Sequence, residues 1–289
     1  MMVTVFTPTY NRAYIISKLY ESLCLQTCQS FEWLVVDDGS IDDTENLIAS
    51  FIEENKINIR YIKQQNGGKH RAINQGIQLA KGDLFFIVDS DDYLSQNAID
   101  TLLYYYRQIE FDDSFAGVSG VRVTFTGERI GGILGYEVLD CSSLDLRMKY
   151  RVDGDMAEAF KTSVLKEYMF PEFNKEYFCP EALVWNRISL KYKLRFTNAP
   201  IYKCEYRSDG LTAKIVRLRM NSPLSSMLYY SELSVMPIPF IQKLKAIINY
   251  WRFSFCSKEI FLNKVKQIGI SSLVMYPLGL LYHLKDLRS

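Results

Sequence analysis

Short apolar runs alternate with amphipathic segments over the first hundred residues of the chain. Val3–Phe6 and Phe31–Val36 have the length and composition of buried strands. Between them, Ala13–Leu25 carries apolar residues on one helical stripe, which predicts an amphipathic helix. A second helix is expected after Asp42 or Asp43, either of which suits an N-cap position.

The alternation continues through a third and a fourth strand. Ile57–Lys63 is predicted to be a strand, Lys69–Ala80 a helix that Gly82 closes, and Leu84–Val88 the next strand. Strands and helices at this spacing predict a mostly parallel α/β sheet flanked by helices. A ligand is therefore expected beyond the carboxyl ends of the strands.

The pattern changes after the first hundred residues. Short runs with glycine-rich turns from Phe115 to Gly135 predict a strand or hairpin region. Further on, Pro180–Tyr192 is predicted to be a helix and Ile201–Lys203 a short strand.

Charge sets the last fifty residues apart. The chain of 289 residues has 34 Lys and Arg against 33 Asp and Glu, and this balance argues against a general nucleic-acid binder. From Pro237 to the end, eight basic residues face two acidic ones, which gives this region a charge of +6. We therefore predict a domain over residues 1–215, with halves 1–105 and 106–215, and a helical C-terminal appendage over residues 216–289.

Cysteine and histidine usage narrows the chemistry. The six cysteines are scattered without a Cys-X-X-Cys pair, and the chain has only two histidines, so a zinc site is not expected. The N-terminus begins in a strand-like run rather than a signal peptide, which favours reduced thiols in a cytoplasmic protein.

The fourth strand ends abruptly in three acids, Asp89, Asp91 and Asp92, with Ser90 between them. In an extended chain, residues two apart face the same side, so Asp89 and Asp91 are expected to reach one point. Paired carboxylates of this kind suit Mg²⁺ or Mn²⁺. A strand followed by an Asp-rich turn without a metal explains the same letters.

Five short motifs together resemble one known family. They occur in the family's order and spacing: Thr7-Pro8-Thr9-Tyr10-Asn11-Arg12, Val35-Val36-Asp37-Asp38-Gly39-Ser40, Asn66-Gly67-Gly68-Lys69 with Asn74 and Gly76, Gly82-Asp83, and Val88-Asp89-Ser90-Asp91-Asp92. The chain resembles a family 2 glycosyltransferase with the Rossmann-like GT-A fold over residues 1–105, and less closely to about residue 215.

The resemblance implies a nucleotide-sugar donor (most often UDP-linked), Mn²⁺ or Mg²⁺, and inverting transfer to an acceptor hydroxyl. It assigns the donor site as follows: Thr7, Pro8 and Thr9 to the nucleoside pocket, Asp38 to the uracil N3–H with Asp37 beside it, Lys69 to the uridine or phosphates, Asp89 and Ser90 toward the ribose and metal, and Asp91 as the main ligand of this DXD motif. Asp92 is expected to be a bystander.

An inverting transferase also needs a base to take the proton of the acceptor hydroxyl. By resemblance this is Glu181, four residues before Trp185. Many family members have a Glu-Asp pair where this chain has Pro180-Glu181, so Glu176 stays a rival. A helix-terminal charge without function would also place a glutamate here. Arg207 or Asp209 in a later polar loop is a further candidate contact, although a Ser-Asp-Gly turn explains that loop equally.

The segment Ile268–Leu284 is almost wholly apolar, short for a spanning helix and flanked by basic residues. This favours an in-plane anchor on an anionic membrane, at the inner face of the cell membrane. Packing on the catalytic domain or on a second copy is the alternative. A membrane location would suit a glycan or lipid-linked glycan acceptor in the assembly of bacterial capsule, lipopolysaccharide or exopolysaccharide.

Two other functions remain open. A sugar nucleotidyltransferase also uses an α/β sheet and a metal, but it normally has a glycine-rich phosphate loop after its first strand, where this chain has Thr-Pro-Thr-Tyr-Asn-Arg. A non-catalytic binding module for nucleotide sugars would be expected to lose Asp89, Asp91 or Glu181, and all three are present.

Overall fold

A computed structural model describes residues 1–132, 135–205 and 214–288, and it divides the chain into two compact units. The first unit comprises Met1–Met169 and Arg187–Tyr206, and the second comprises Phe170–Asn186 and Arg207–Ser289. This division differs from the predicted boundary after residue 215, because residues 170–186 group with the C-terminal helices.

The first unit contains a nine-stranded sheet. Its strands are β1 (Val3–Thr9), β2 (Phe31–Asp37), β3 (Ile59–Lys63), β4 (Leu84–Ile87), β5 (Tyr93–Leu94), β6 (Phe115–Val123), β7 (Val138–Cys141), β8 (Met156–Lys161) and β9 (Lys193–Lys203). The order across the sheet is β3-β2-β1-β4-β8-β6-β9-β5, and β7 pairs with β9. The helices of this unit are α1 (Ser17–Cys24), α2 (Thr44–Glu54), α3 (Lys69–Leu79), α4 (Ala98–Arg107), α5 (Ser143–Met148) and α6 (Thr162–Glu167).

The predicted parallel sheet is the N-terminal half of this larger mixed sheet. β1 pairs in parallel with both β2 and β4, and β2 pairs in parallel with β3. Beyond β4, β8 is antiparallel to both of its neighbours, whereas β6 and β9 are parallel to each other. The α/β class with flanking helices is confirmed; the first four strands are all parallel, and the rest of the sheet is mixed.

The structure refines two later predictions. The strand or hairpin region expected from Phe115 to Gly135 contains one long strand, β6, after which the chain turns back and pairs through an isolated antiparallel bridge between Val123 and Arg129. The short strand expected at residues 201–203 is the end of the eleven-residue β9. In both cases pairing within the sheet extends a strand through small or polar residues that locally weaken the signal.

Helix and strand packing follows the predicted apolar stripes. Leu19 and Leu23 of α1 are fully buried, as is Ile16 just before the helix, and Tyr20 stacks on Phe51 of α2 with ring centroids 4.0 Å apart. α1 begins at Ser17, four residues after the predicted start, because residues 13–16 form turns. At α2, Asp43 is the N-cap residue but makes no side-chain cap, and the Asp42 carboxylate accepts from the N–H and hydroxyl of Thr44 instead.

The second unit is helical. It contains α8 (Ile215–Asn221), α9 (Pro223–Val235), α10 (Phe240–Ser254), α11 (Phe261–Ile268), a 3-10 helix (Ile270–Met275) and α12 (Tyr276–Asp286), while α7 (Glu181–Ser189) begins in this unit and ends in the first. Met227, Tyr250 and Trp251 form its buried centre, and Val265, Ile268, Leu273 and Tyr276 pack against it. Part of the apolar C-terminal stretch is therefore a core. In the described part of the chain, every helix is too short or too polar to cross a bilayer.

Candidate functional site

The parallel strands bring three polar segments to one edge of the sheet. Thr9 at the end of β1 is in register with Asp37 at the end of β2, and the Asp38 N–H donates to the carbonyl of Thr9 at 2.8 Å. On the other side of β1, the Val88 N–H donates to the Phe6 carbonyl, so the chain after β4 leaves the sheet at the same edge. Because the chain runs to β2 on one side of β1 and to β4 on the other, this edge is a topological switch point, where α/β sheets bind ligands.

The Asp38 carboxylate organises the loop that leads into α3. Its Oδ1 accepts from Gln64 Nε2 at 2.7 Å and from the Gly67 N–H at 2.8 Å, and its Oδ2 accepts from the Gly68 N–H at 2.8 Å. Gly68 adopts a φ of +94°, which favours glycine. A carboxylate offers about four acceptor positions, so one is left for a ligand N–H such as that of a base.

Both carboxylate oxygens of Asp37 accept hydrogen bonds from neighbouring residues. Its side chain is fully buried, and it accepts from the Ser40 N–H at 2.7 Å and from the Tyr61 hydroxyl at 2.6 Å. Burial and the Asp37 hydrogen bond raise the pKa of Tyr61 well above its ordinary value. This geometry favours a role for Asp37 in holding the loop after β2; the predicted ligand contact stays a prediction.

The β1 residues are likewise buried. The Thr7 hydroxyl accepts from Trp33 Nε1 at 2.9 Å, and Pro8 pairs with Val36 within the sheet. The Thr9 side chain is 2% exposed, and its hydroxyl has no hydrogen-bond partner among the described residues. An unpaired buried hydroxyl at the switch point is a polar group that a bound ligand can satisfy.

The acidic segment after β4 is a turn and not an extended strand. β4 ends at Ile87, and the Asp92 N–H donates to the Asp89 carbonyl at 3.1 Å, which places Ser90 and Asp91 at the tip. The two carboxylates were expected on one side because residues two apart in a strand face the same way. That reason is wrong, because Asp89 and Asp91 lie in a turn. The carboxylate of Asp91 has no hydrogen bond or ion pair to any described residue, whereas Ser90 is buried.

Lys69, at the start of α3, pairs with Asp89 of the turn. Its Nζ lies 2.7 Å from Asp89 Oδ1, and the two side chains are 24% and 33% exposed. Burial raises the pKa of Asp89, but the charges of Lys69, Arg122 and Arg12 outweigh it and hold that pKa below its ordinary value. The site thus combines an ionised carboxylate with three cationic side chains, a set that suits a diphosphate and its counter-ion.

The carboxylates fit a divalent cation that arrives with its ligand. In the described ranges, no group of three His, Cys, Asp or Glu side chains could hold a metal alone. Mg²⁺ and similar ions commonly take one or two protein carboxylates and complete their coordination with phosphate oxygens and water. Asp91, and Asp89 if Lys69 releases it, would supply those protein ligands.

Sequence reasoning did not identify three residues around the turn. Tyr202 of β9 bonds to both Asp89 and Asp92, and Arg122 of β6 lies over the Tyr202 ring at 4.4 Å. Asp92, expected to be a bystander, is 8% exposed, and burial together with the charge of Asp89 raises its pKa to about 7. Nothing in the local sequence of β6 or β9 signals this, because their positions beside the turn come from sheet pairing.

The proposed base and its rival both lie in the second unit. Glu181 is the first residue of α7, and Trp185 of the same helix packs edge-on against Phe170 at 5.8 Å. Glu176 is 4% exposed and accepts from the N–H groups of Leu224 and Ser225 at 2.6 and 2.8 Å. Glu176 therefore caps α9, which leaves Glu181 as the candidate base. Arg207 and Asp209 lie outside the described residues.

Comparison with known proteins identifies the family of this site. The family model described as glycosyl transferase family 2 matches residues 4–140. Glycosyltransferase GlyG of Streptococcus pneumoniae is 36% identical over 114 residues, which are 39% of this chain and 36% of that protein. The GalNAc(5)-diNAcBac-PP-undecaprenol beta-1,3-glucosyltransferase of Campylobacter jejuni is 26% identical over 222 residues, which are 73% of this chain and 67% of that protein. The chain thus spans about a third of the length of GlyG.

Solved structures give the same fold. Staphylococcus aureus TarS in complex with UDP aligns with a TM-score of 0.62 and 18% identity, covering 99% of this chain and 88% of that one. The mannosyltransferase PcManGT of Pyrobaculum calidifontis, in complex with GDP-Man and Mn²⁺, aligns with a TM-score of 0.59 and 14% identity, covering 98% of this chain and 87% of that one. The fold is GT-A, and residues 4–140 of the chain belong to glycosyl transferase family 2.

Proposed function

We propose that the protein transfers a sugar, with inversion, from a UDP-sugar to an acceptor hydroxyl. The observation that carries the proposal is the convergence of Asp38, Lys69 and the turn Asp89–Asp92 at one switch point of a family 2 chain. TarS, which has the same fold, was solved with UDP and with UDP-GlcNAc, and this supports a UDP-linked donor for the present protein.

Different residues of the first unit bind different parts of the donor. Asp38 keeps an acceptor position for the uracil N3–H, and Thr9, at the end of β1, has a buried hydroxyl without a partner among the described residues. Lys69 moves from Asp89 to a phosphate oxygen when the diphosphate binds, which frees Asp89 to act with Asp91. A divalent cation held there would neutralise the negative charge that builds on the leaving diphosphate.

The acceptor hydroxyl must lose its proton as it attacks the anomeric carbon. Glu181 takes that proton as general base, because a sugar hydroxyl has a pKa far above neutral and a positioned carboxylate lowers the barrier. The bond from the anomeric carbon to the diphosphate oxygen breaks on the opposite face, so the configuration inverts. Glu176 cannot substitute for Glu181 in this role, since both of its oxygens cap α9.

The acceptor is proposed to be a glycan or a lipid-linked glycan of a bacterial surface polysaccharide. The Campylobacter jejuni relative is named for an undecaprenol-linked glycan, and a 33% identical stretch of 107 residues matches chondroitin synthase of Escherichia coli. We propose a cytoplasmic protein attached to the inner face of the membrane, where a lipid-linked acceptor would be reached.

The exposed face of α12 supports this attachment. α12 packs on α10 through Gly279, where an added Cβ would lie 2.4 Å from Trp251 Cβ, and through Asp286, which pairs with Arg252. The opposite side of the helix presents Leu278, Leu281, Leu284 and Leu287, which are 41–62% exposed, together with Lys285 and Arg288. A surface helix usually turns its apolar side to the core and its polar side to solvent, whereas here leucines lie on the exposed side. Exposed leucines bordered by basic residues suit an anionic bilayer.

Liposome sedimentation tests the attachment. The full chain should sediment with vesicles of phosphatidylglycerol and phosphatidylcholine but not with phosphatidylcholine alone. Leu281→Ser combined with Leu284→Ser should weaken this at least tenfold, because each buried leucine contributes about 1.5–3 kcal/mol. Leu190→Ser, at a 56% exposed position of the first unit, is the matched control. Failure of the wild type to sediment with anionic vesicles would reject the membrane proposal.

Product analysis tests the reaction itself. The full chain is mixed with UDP-, GDP- and dTDP-sugars, Mn²⁺ and a glycan acceptor, and nucleoside diphosphate release is measured with and without EDTA. Glu181→Gln should retain UDP binding and lose at least a hundredfold in transfer rate. Formation of a nucleoside triphosphate and a sugar 1-phosphate when pyrophosphate is added, without nucleoside diphosphate release, would indicate a nucleotidyltransferase. Binding without release in every condition would indicate a non-catalytic module.

A further inference from the structure

One hydroxyl group joins both ends of the acidic turn. The Tyr202 hydroxyl donates to Asp92 Oδ2 at 2.7 Å and accepts from the Asp89 N–H at 3.0 Å. Asp89 is the first residue of the turn and Asp92 the last, so Tyr202 spans the turn that holds Asp91 at its tip. No other described residue bonds through a side chain to both ends of this turn.

The Tyr202 ring is itself held from several sides. It is 1% exposed, and Tyr202 lies in β9 opposite Leu94 of β5 and Arg122 of β6. The Arg122 guanidinium lies 4.4 Å from the ring centroid, and Phe86 meets the ring edge-on at 6.1 Å. Arg122 is anchored in turn by donation from its Nε to the Met156 carbonyl at 3.0 Å. The hydroxyl therefore has a fixed position relative to the sheet.

This anchoring sets which carboxylate faces outward. Asp92 is 8% exposed and points toward the strands, where Tyr202 satisfies it. Loss of the hydroxyl would leave the buried Asp92 carboxylate and the partly buried Asp89 N–H without these hydrogen bonds, and the turn would rotate to hydrate them. Rotation of a four-residue turn moves its tip, so Asp91 would leave its outward position.

We propose that Tyr202 is a positioning residue that holds the acidic turn so that Asp91 meets a divalent cation bound to the donor diphosphate. This inference rests on the proposed function, because it assigns the use of the turn that the transferase requires. Tyr202 acts through Asp89 and Asp92 and does not itself contact the donor or the acceptor.

The test compares Tyr202→Phe with the wild type by calorimetric titration of UDP, once with Mn²⁺ and once with EDTA. Phenylalanine keeps the ring contacts with Arg122 and Phe86 and removes only the hydroxyl. The Mn²⁺-dependent gain in UDP affinity should fall about tenfold, which corresponds to ~1.4 kcal/mol, while the affinity in EDTA stays unchanged. Tyr20→Phe is the matched control, since it removes a hydroxyl that bonds to Glu54 at 2.8 Å elsewhere in the same unit.

The outcomes separate the two claims. A wild type that binds UDP no better with Mn²⁺ than with EDTA would overturn the proposed function. A wild type that does respond to Mn²⁺, with Tyr202→Phe equal to it, would overturn only the positioning role. An equal loss in EDTA would likewise overturn it, because the hydroxyl would then act on the nucleotide pocket. If Tyr202→Phe does not fold, Asp92→Ala is titrated instead, because alanine cannot accept from the Tyr202 hydroxyl. An undiminished response to Mn²⁺ in that variant rejects the inference.

Discussion

Replacing Asp38 by asparagine isolates the hydrogen bonds that hold the loop before α3. The carboxylate accepts three hydrogen bonds, from the side chain of Gln64 and from the backbone N–H groups of Gly67 and Gly68. Asparagine offers one acceptor oxygen and an NH₂ group. If the oxygen continues to face Gly67, the NH₂ group faces the Gly68 N–H, and two donors oppose each other.

The expected cost follows from the bonds that are lost. A hydrogen bond to a charged group contributes about 1.5–3 kcal/mol, and a buried donor left without a partner costs about 1–3 kcal/mol. Asp38 is 5% exposed, so water cannot readily replace its bonds. We expect Asp38→Asn to lower the free energy of unfolding of the first unit by ~2–3 kcal/mol and to release the loop that positions Lys69.

Two measurements check this expectation. Urea unfolding gives the change in free energy, and amide hydrogen exchange read by mass spectrometry reports on the peptide that contains Gly67 and Gly68. Asp43→Asn is the control, because the exposed carboxylate of Asp43 accepts from the exposed Asn46 side chain, at 2.6 Å. We expect the control to change stability by less than about 0.5 kcal/mol. If Asp38→Asn stays within that range of the wild type and the loop amides exchange no faster, the role assigned to Asp38 is refuted.

Three further predictions concern other parts of the chain. Burial raises the pKa of Glu158 from 4.5 to about 7, so the folded state keeps a proton that the unfolded state has released. Stability should therefore fall by up to ~3 kcal/mol as pH rises from 4.5 to 7, and Glu158→Gln should flatten that dependence in thermal unfolding. Asp286→Asn breaks a two-bond pair with Arg252 at 2.6 Å and should cost about 2 kcal/mol, less than a fully buried pair would. Gly76→Ala places a Cβ 2.2 Å from the Phe6 ring and should cost about 1–3 kcal/mol or prevent folding.

The predictions for Asp286 and Gly76 each have a control in the same chain. Glu167→Gln removes an exposed pair with Lys191 at 3.8 Å and should be nearly neutral, in contrast to Asp286→Asn. Gly135→Ala introduces a Cβ with nothing within 4 Å and should be tolerated where Gly76→Ala is not. A pH profile that is the same for Glu158→Gln and wild type would show that another group causes the dependence.

The local sequence predicts the N-terminal half of the sheet well, because strands buried on both faces have nearly continuous apolar runs and their helices have regular stripes. The strand ends at Asp37 and Ile87 lie within a residue of their expected places. Prediction was poorer from Phe115 onward, where β6 and β9 include polar residues and glycines whose strand conformation depends on partners far along the chain.

The candidate site also has a part that the local sequence predicts and a part that it does not. Asp38 and the acidic turn follow strands of a parallel sheet, and such strand ends meet at one edge whatever the remaining sequence does. The capping role of Glu176 could not be predicted, because the α9 N–H groups that it accepts from lie almost fifty residues later in the chain.

The sequence by itself therefore determined the fold class, the family and the edge of the sheet at which a ligand would bind. Only the tertiary structure decided which acid of the turn faces outward and which faces the core. Tyr202 lies 110 residues from Asp92, and the two meet because β9 pairs with β5 and β6. Contacts of this kind depend on the register of distant strands, which local propensity and spacing do not encode.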